Sequence, residues 1–325
     1  MTRMNRRSLI RTAAAISATT LLEAVIAQER GALLRIVVPY AAGGQTDLLA
    51  RALAQSLAKS LDRSVVVENK TGAAALIGTR AVQTAAPDGN TLLFHNSGFV
   101  ALPLLTKAHT YDPVKDFAPV ALVGYGPNFL MINGNVPART LPEFITWAKT
   151  QPEGIEASNA GLGSAGHLAT LLFAKRAGIK VVHVAYKGTS ETQTALIAGE
   201  VKMQLTSATE VMTQQAKLGK IRMLAVNSKA RTSLAPEVPT IAETLPGFAN
   251  DVWFGLLAPA GSPADQVQRL SEALRKALDE PEIRTRFIQN YMDPIYRDPK
   301  EFGAAINESL LIWKSMINEL GIEPT

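Results

Sequence analysis

The sequence predicts an α/β protein of two lobes joined by a hinge and separated by a cleft. Three observations carry that expectation: a β-α-β-α-β alternation that begins at Leu34, a second alternation that begins near Phe129, and a late apolar strand followed by long helices with no sheet of their own to cover. The 325 residues suffice for two domains of ordinary size, and 47% hydrophobic against 19% charged residues is the balance of a packed core.

The first unit opens with Leu34-Arg35-Ile36-Val37-Val38, an apolar β-branched run that Pro39 stops. After a loop over 40–46, Leu49, Leu53, Leu57 and Leu61 recur at helical spacing with Ala50, Ala54 and Ala58 beside them. Val65-Val66-Val67 is a second strand, 76–84 a second helix, and the turn Pro87-Asp88-Gly89-Asn90 leads into a third strand, Thr91-Leu92-Leu93-Phe94-His95. Such an order argues for a parallel sheet with helices on its faces.

The second unit follows the apolar run 117–123. It reads as strand 129–132, helix 141–149 with Pro142 tolerated in the first turn, strand 155–158, helix 167–177, strand 181–184, helix 190–198, strand 201–205, helix 211–218 and strand 223–226. A stretch carrying Pro236, Pro239 and Pro246 then leads to a strand over 252–258 and to helices from Ala264 onward. These helices are expected to pack back on the first unit, so the chain crosses between lobes twice. Lobe I is then 28–127 with 250–325, and lobe II is 128–249. Two crossings make a hinge, whose closure on a ligand costs only a few dihedral changes. The sequence shows no internal repeat.

A formal charge of +5 and a pI near 9.4 invite a nucleic-acid partner. Much of that charge lies in residues 1–27, which read as an export signal: Arg3, Arg6, Arg7 and Arg11 form a basic region, 13–22 a mildly apolar one, and Val25-Ile26-Ala27 a small-residue cleavage site. The competing reading is an amphipathic helix docked on the domain. Arg6-Arg7-Ser8-Leu9-Ile10-Arg11 also resembles the twin-arginine motif, so either that route or the general secretory one is open. Removing four arginines and one glutamate from 33 basic and 28 acidic residues leaves 29 and 27, a net charge of +2. The remaining Lys and Arg are scattered, and no nucleic-acid partner is expected. No apolar run reaches the roughly 18 residues that a membrane span needs, so a soluble mature protein is expected. The absence of cysteine excludes disulfides, cysteine-ligated metals and cysteine nucleophiles.

Two loops stand out. Pro39-Tyr40-Ala41-Ala42-Gly43-Gly44-Gln45-Thr46-Asp47 joins a buried strand to a helix start, where free N–H groups favour anions such as small carboxylates. The plainer reading is a turn with Thr46 or Asp47 as helix cap, and Asp47 is better placed as a cap than facing an anion. No Gly-Lys-Ser/Thr follows, so this is not a P-loop. Gly161-Leu162-Gly163-Ser164-Ala165-Gly166 has the dinucleotide spacing, but the next strand runs into Val184-Ala185-Tyr186-Lys187-Gly188 without the acidic residue that holds a ribose. No nucleotide or other cofactor is expected. A serine hydrolase using Ser164 is the enzyme alternative, although the residues around it miss the first glycine of G-x-S-x-G, and His167, three residues on, sits where a residue caps or packs, which leaves His183 or His95 to serve as base. The four histidines, His95, His109, His167 and His183, lack metal-ligand spacing, so no metal is expected.

Taken together, two anion-friendly helix starts and an export signal describe a periplasmic solute-binding protein. The chain resembles the Bug solute receptors, the extracytoplasmic subunits of tripartite tricarboxylate transporters, over nearly all of its mature length. The resemblance rests on Pro39-Tyr40 with Gly43-Gly44, Asp47 and Ala50-Arg51; Val65-Val66-Val67-Glu68-Asn69-Lys70 with Gly72-Ala73 and Ile77-Gly78; Pro87-Asp88-Gly89-Asn90-Thr91-Leu92-Leu93; Tyr111-Asp112-Pro113-Val114-Lys115-Asp116-Phe117; His183-Val184-Ala185-Tyr186-Lys187-Gly188; and Trp253-Phe254-Gly255. Singly these are weak and together they are specific.

The resemblance implies the two-lobed periplasmic binding protein fold, a Venus flytrap of type II-like topology, without catalysis. It implicates Tyr40, Gly43, Gly44, Thr46 and Asp47 of the first loop, Ala73 and Ala74 of the second, Ser97 after the third strand, and Asn159, Gly163, Ser164, His167 and Thr206 of lobe II. The implied guest is a small carboxylate, often a dicarboxylate, and the implied partners are membrane transporter subunits, with the receptor itself a monomer. Signalling to a sensor kinase instead of uptake stays open. Ala74 and Ala75 stand where a Gly pair is common, Asn159 where Ser is common, Leu162 where a polar residue is common and Thr206 where Asp is common. Thr206 argues against an amino group on the ligand, and Leu162, if it faces the cleft, favours an apolar or aromatic body.

Overall fold

The computed structural model describes residues 33–105, 111–161 and 164–323. The expected export signal at 1–27, together with His109, Leu162 and Gly163, lies outside them.

The chain lays down β1 (Leu34–Val38), β2 (Val65–Asn69), β3 (Thr91–Asn96) and β4 (Phe117–Gly126), then crosses over. It continues through β5 (Asn128–Asn133), β6 (Ile155–Asn159), β7 (Val181–Ala185), β8 (Met203–Ser207) and β9 (Ile221–Val226), and returns in β10 (Val252–Pro259). Two five-stranded sheets result, with orders β2-β1-β3-β10-β4 and β7-β6-β8-β5-β9. In the first, β1 is parallel to β2 and β3 while β10 runs antiparallel to β3 and β4; in the second, β6 is parallel to β7 and β8 while β5 runs antiparallel to β8 and β9. The topology repeats where the sequence does not. In each sheet the antiparallel strand, fourth in the order, is the one the chain forms directly after crossing. The molecule is two-lobed for that reason.

Helices cover the faces. They are α1 (Gln45–Leu61), α2 (Leu76–Gln83), α3 (Leu102–Leu105), α4 (Leu141–Lys149), α5 (Ala165–Ala177), α6 (Thr189–Ala198), α7 (Glu210–Lys217), α8 (Ala264–Asp279), α9 (Pro281–Gln289) and α10 (Pro299–Leu320). The leucines at i, i+4 of α1 are fully buried with Ile36, Phe94, Leu256 and Leu274, which fixes that helix against its sheet. Gly255 is required by packing: a Cβ there would lie 2.3 Å from the Phe302 ring of α10.

The C-terminal helices only partly follow expectation. α8 packs on β4 and α1, and α9 on α8 and α1, all within the first lobe. The last helix, α10, lies on β4 but also reaches α5 of the second lobe, where Arg176 makes a bidentate pair with Glu319 at 2.8 Å. Between α9 and α10, Tyr291 stacks obliquely on Phe129 and shares a 2.8 Å hydrogen bond with Thr213. The segment after β10 therefore links both lobes.

Candidate ligand cleft

The first loop is held by a carboxylate that faces away from the cleft. Neither Thr46 nor Asp47 caps α1: the N-cap position is Gly44, which has no side chain to offer, and the helix begins at Gln45. Gly43, at φ +79°, turns the chain so that its N–H donates to Asp47 Oδ2 at 2.9 Å. The same carboxylate accepts from Arg51 Nε at 3.0 Å and from Asn69 Nδ2 at 2.9 Å. Burial works against the ionised form, but the bonds from Arg51, Gly43 and Asn69 outweigh it and hold the Asp47 pKa below its ordinary value. Asp47 builds the loop and does not repel what the loop faces.

Across the cleft, Ser164 caps α5, its hydroxyl accepting from the His167 N–H at 3.3 Å. The ring of His167 stands edge-on to His183, with centroids 4.7 Å apart. Burial, then the neighbouring His183, pushes His167 down to about 4, so it is neutral at physiological pH. The Ser164 hydroxyl is thus engaged as a helix cap, accepting from a backbone N–H, which is not the arrangement of a hydrolase nucleophile activated by a base.

A third helix start, at α6, completes the cleft. Gly188 precedes it so closely that a Cβ would fall 2.8 Å from the Ala41 backbone nitrogen. The Ser190 hydroxyl donates to the Ala42 carbonyl at 2.9 Å, joining the lobes. A narrow cavity of about 20 Å³ remains between them. Tyr40, Gln45 and Thr46 border it from α1 and its loop, Ser164, Ala165 and Gly166 from α5, and Thr189 from α6. The strand ends supply Asn96, Asn128, Thr206 and Ser207, and Ala160 and Val252 complete the wall. None of these side chains is charged. Burial raises the pKa of the Tyr40 hydroxyl in the wall and lowers that of His95, which packs against it, to about 4, which leaves both neutral. Any attraction for an anion therefore comes from the three helix starts, each of which favours one by roughly 0.3–1 kcal/mol, up to about 2 where partly buried.

Of the residues singled out from sequence, the structure thus brings Tyr40, Thr46, Ser164 and Thr206 to the cavity. Gly43 and Gly44 instead form the lobe contact, an added Cβ on Gly44 lying 3.4 Å from the Thr189 Cβ. Ala73 and Ala74 lie outside the wall, with Ala74 facing Gly161 across the gap. Ser97 and Asn159 are buried beside it, and the Ser97 hydroxyl and Asn159 Nδ2 have no hydrogen-bond partner among the described residues. Sequence reading missed Gln45, Asn96, Asn128, Thr189 and Ser207. All five sit at a strand end or start or in the first turn of a helix, where open α/β sheets collect ligands. Among the described residues no group of three or more His, Asp or Glu is placed to hold a metal, and no helix is long and apolar enough to cross a membrane.

Residues 49–322 match the model of the family described as tripartite tricarboxylate transporter family receptor. The chain belongs to the tripartite tricarboxylate transporter receptor family. The solved periplasmic binding protein BugD is 32% identical, with a TM-score of 0.86 over 90% of this chain and 99% of its own. MatC from Rhodopseudomonas palustris with bound malate is 29% identical, with a TM-score of 0.83 over 88% of this chain and 99% of that one. A second protein of that organism, solved with adipate, is 28% identical, with a TM-score of 0.86 over 91% and 99%. The family is a class of periplasmic solute-binding receptors and not of enzymes, in agreement with Ser164 serving as a cap.

Proposed function

We propose that this receptor captures a small carboxylate between its lobes in the periplasm and presents it, as a monomer, to the membrane subunits of a tripartite transporter. In this reading residues 1–27 are the export signal, 28–127 with 250–325 form lobe I, and 128–249 form lobe II. The observation that carries it is the convergence of three helix N-termini on a cavity that no charged side chain borders among the described residues. Such a site suits an anion, because backbone N–H groups supply the donors and no side-chain carboxylate opposes it. Malate and adipate, bound by the two Rhodopseudomonas palustris relatives, set the size of ligand to expect.

Mass spectrometry of the small molecule that co-purifies with the receptor, followed by calorimetric titration of three- to six-carbon mono- and dicarboxylates, tests the reading. Binding in the micromolar range, about −8 kcal/mol, is expected for at least one of them. A panel that gives no heat, with a non-carboxylate co-purifying, would refute it.

A further inference from the structure

Gln45 opens α1, borders the cavity and is only 1% exposed. Both hydrogens of its amide nitrogen are used: Nε2 donates to the Asn290 carbonyl at 2.5 Å and to the Ala208 carbonyl at 3.3 Å. Since both partners only accept, the amide cannot be turned over, and the identity of its two ends is fixed by chemistry. The other end, Oε1, is buried and has no hydrogen-bond partner among the described residues.

An unpaired buried acceptor costs about 1–3 kcal/mol. An ionised carboxylate cannot relieve that cost, because its oxygens only accept. Carboxylate oxygens suit the opposite kind of orphan, the Asn159 Nδ2 and Ser97 hydroxyl donors buried beside the cavity. What Gln45 needs is a donor carried on the same ligand. An ammonium is the wrong donor: Thr206 offers no charge to neutralise it, no acidic side chain borders the cavity among the described residues, and helix N-termini disfavour a cation. A neutral hydroxyl meets every condition.

We propose that the ligand is a hydroxy-substituted carboxylate whose hydroxyl donates to Gln45 Oε1, and that Gln45 discriminates it from the unsubstituted acid; this rests on the carboxylate reading above. A site built to pair with a hydroxyl rejects the analogue that lacks it, since its own polar group is then left unpaired.

The test is calorimetric titration of matched pairs: succinate with each enantiomer of malate, glutarate with each enantiomer of 2-hydroxyglutarate, and propionate with each enantiomer of lactate, with aspartate as the ammonium control. The wild type is expected to bind one hydroxy acid at least tenfold tighter than its unsubstituted partner and tighter than aspartate. In Gln45→Met, loss of the bonds to Ala208 and Asn290 weakens both members of the pair together, whereas loss of the acceptor brings their ratio within about twofold. That ratio is the readout that a purely structural Gln45 would not move. Equal or tighter binding of the unsubstituted acids, preference for aspartate, or an unchanged ratio in a folded Gln45→Met overturns the inference while leaving the carboxylate reading intact. Should the variant not fold, the wild-type ratio alone decides. Absence of binding by every acid in the panel overturns this inference, and with a non-carboxylate co-purifying it removes the carboxylate reading as well.

Discussion

Asn227 is fastened to Asn128 in both directions: its Oδ1 accepts from the Asn128 N–H at 2.7 Å, and its own N–H donates to the Asn128 carbonyl at 3.0 Å. The same residue holds Asn250, donating from Nδ2 to the Asn250 carbonyl at 2.6 Å and accepting the Asn250 N–H at 2.8 Å. Asn128 follows the first crossing between lobes, and Asn250 lies on the second. One fully buried amide thus ties both hinge strands together. Asn227→Leu removes both side-chain bonds and leaves a buried N–H and a buried carbonyl unpaired, at about 1–3 kcal/mol each. Urea unfolding of the variant should show a stability loss of about 2–5 kcal/mol. A loss below about 1 kcal/mol would mean that the hinge does not depend on this amide.

Gly44 separates closure from stability. Its φ of −78° suits any residue, so a side chain there meets no backbone strain. It does meet the other lobe, because Thr189 Cβ and Ser190 N lie 3.4 and 3.5 Å from the site of an added Cβ. The γ-methyls of Gly44→Val should hold the lobes apart and weaken ligand binding at least tenfold in calorimetry. Stability without ligand should fall by only about 1 kcal/mol, the difference between Gly and a β-branched residue at an N-cap. Unchanged affinity would show that the lobes need not meet here.

Asp47 is buried architecture at the edge of a ligand site. Asp47→Ala strands the Gly43 N–H and one hydrogen of the Asn69 amide, whose other bond goes to the Tyr40 carbonyl, and leaves Arg51 only its bond to Asn69 Oδ1. Thermal or urea unfolding should report a loss of about 2–4 kcal/mol. A variant of full stability with altered ligand selectivity would instead place the carboxylate in contact with the ligand.

What the sequence made legible, and what it hid, follows from the range of the forces involved. Strands such as Leu34–Val38 and helices such as Leu141–Lys149 were readable because β-branched runs, periodic leucines and the first-turn Pro142 act locally. The start of α1 was misplaced because Gly44 at the N-cap carries no side-chain signal, and the Asp47 that seemed to supply one folds back on Gly43. The cavity wall was half legible. Tyr40, Thr46 and Ser164 sit in glycine-marked loops, but Thr189, Asn128 and Ser207 reach the cavity only because elements of both lobes meet there, a relationship no local pattern encodes.

The loop after β2 defies local propensity outright. Ala73, Ala74 and Ala75 adopt φ of 45°, 53° and 76°, a left-handed run that costs an L-residue roughly 1–2 kcal/mol at each position. Glycine adopts it freely. Ala74→Gly should therefore raise stability by about 0.5–1 kcal/mol, the relief of strain being reduced by the extra chain entropy of glycine in the unfolded state. Destabilisation of that variant in urea would show that the segment is not held in this conformation.

Three buried or half-buried histidines set the acid limb of stability. Burial pushes His95 and His167 down to about 4, with His183 opposing protonation of His167, and burial also lowers His183. The unfolded chain protonates all three near pH 6.5, whereas the folded chain protonates His95 and His167 only at about pH 4 and His183 below its ordinary value. Their contribution is therefore fully present above about pH 6.5 and is lost as the pH falls from there toward about 4. Urea unfolding should give lower stability at pH 5 than at pH 7, with a slope of up to about 1.4 kcal/mol per pH unit for each histidine. His167→Gln should flatten that slope by one histidine's share. Stability that stays level between pH 5 and 7 in the wild type would contradict histidines held neutral by burial.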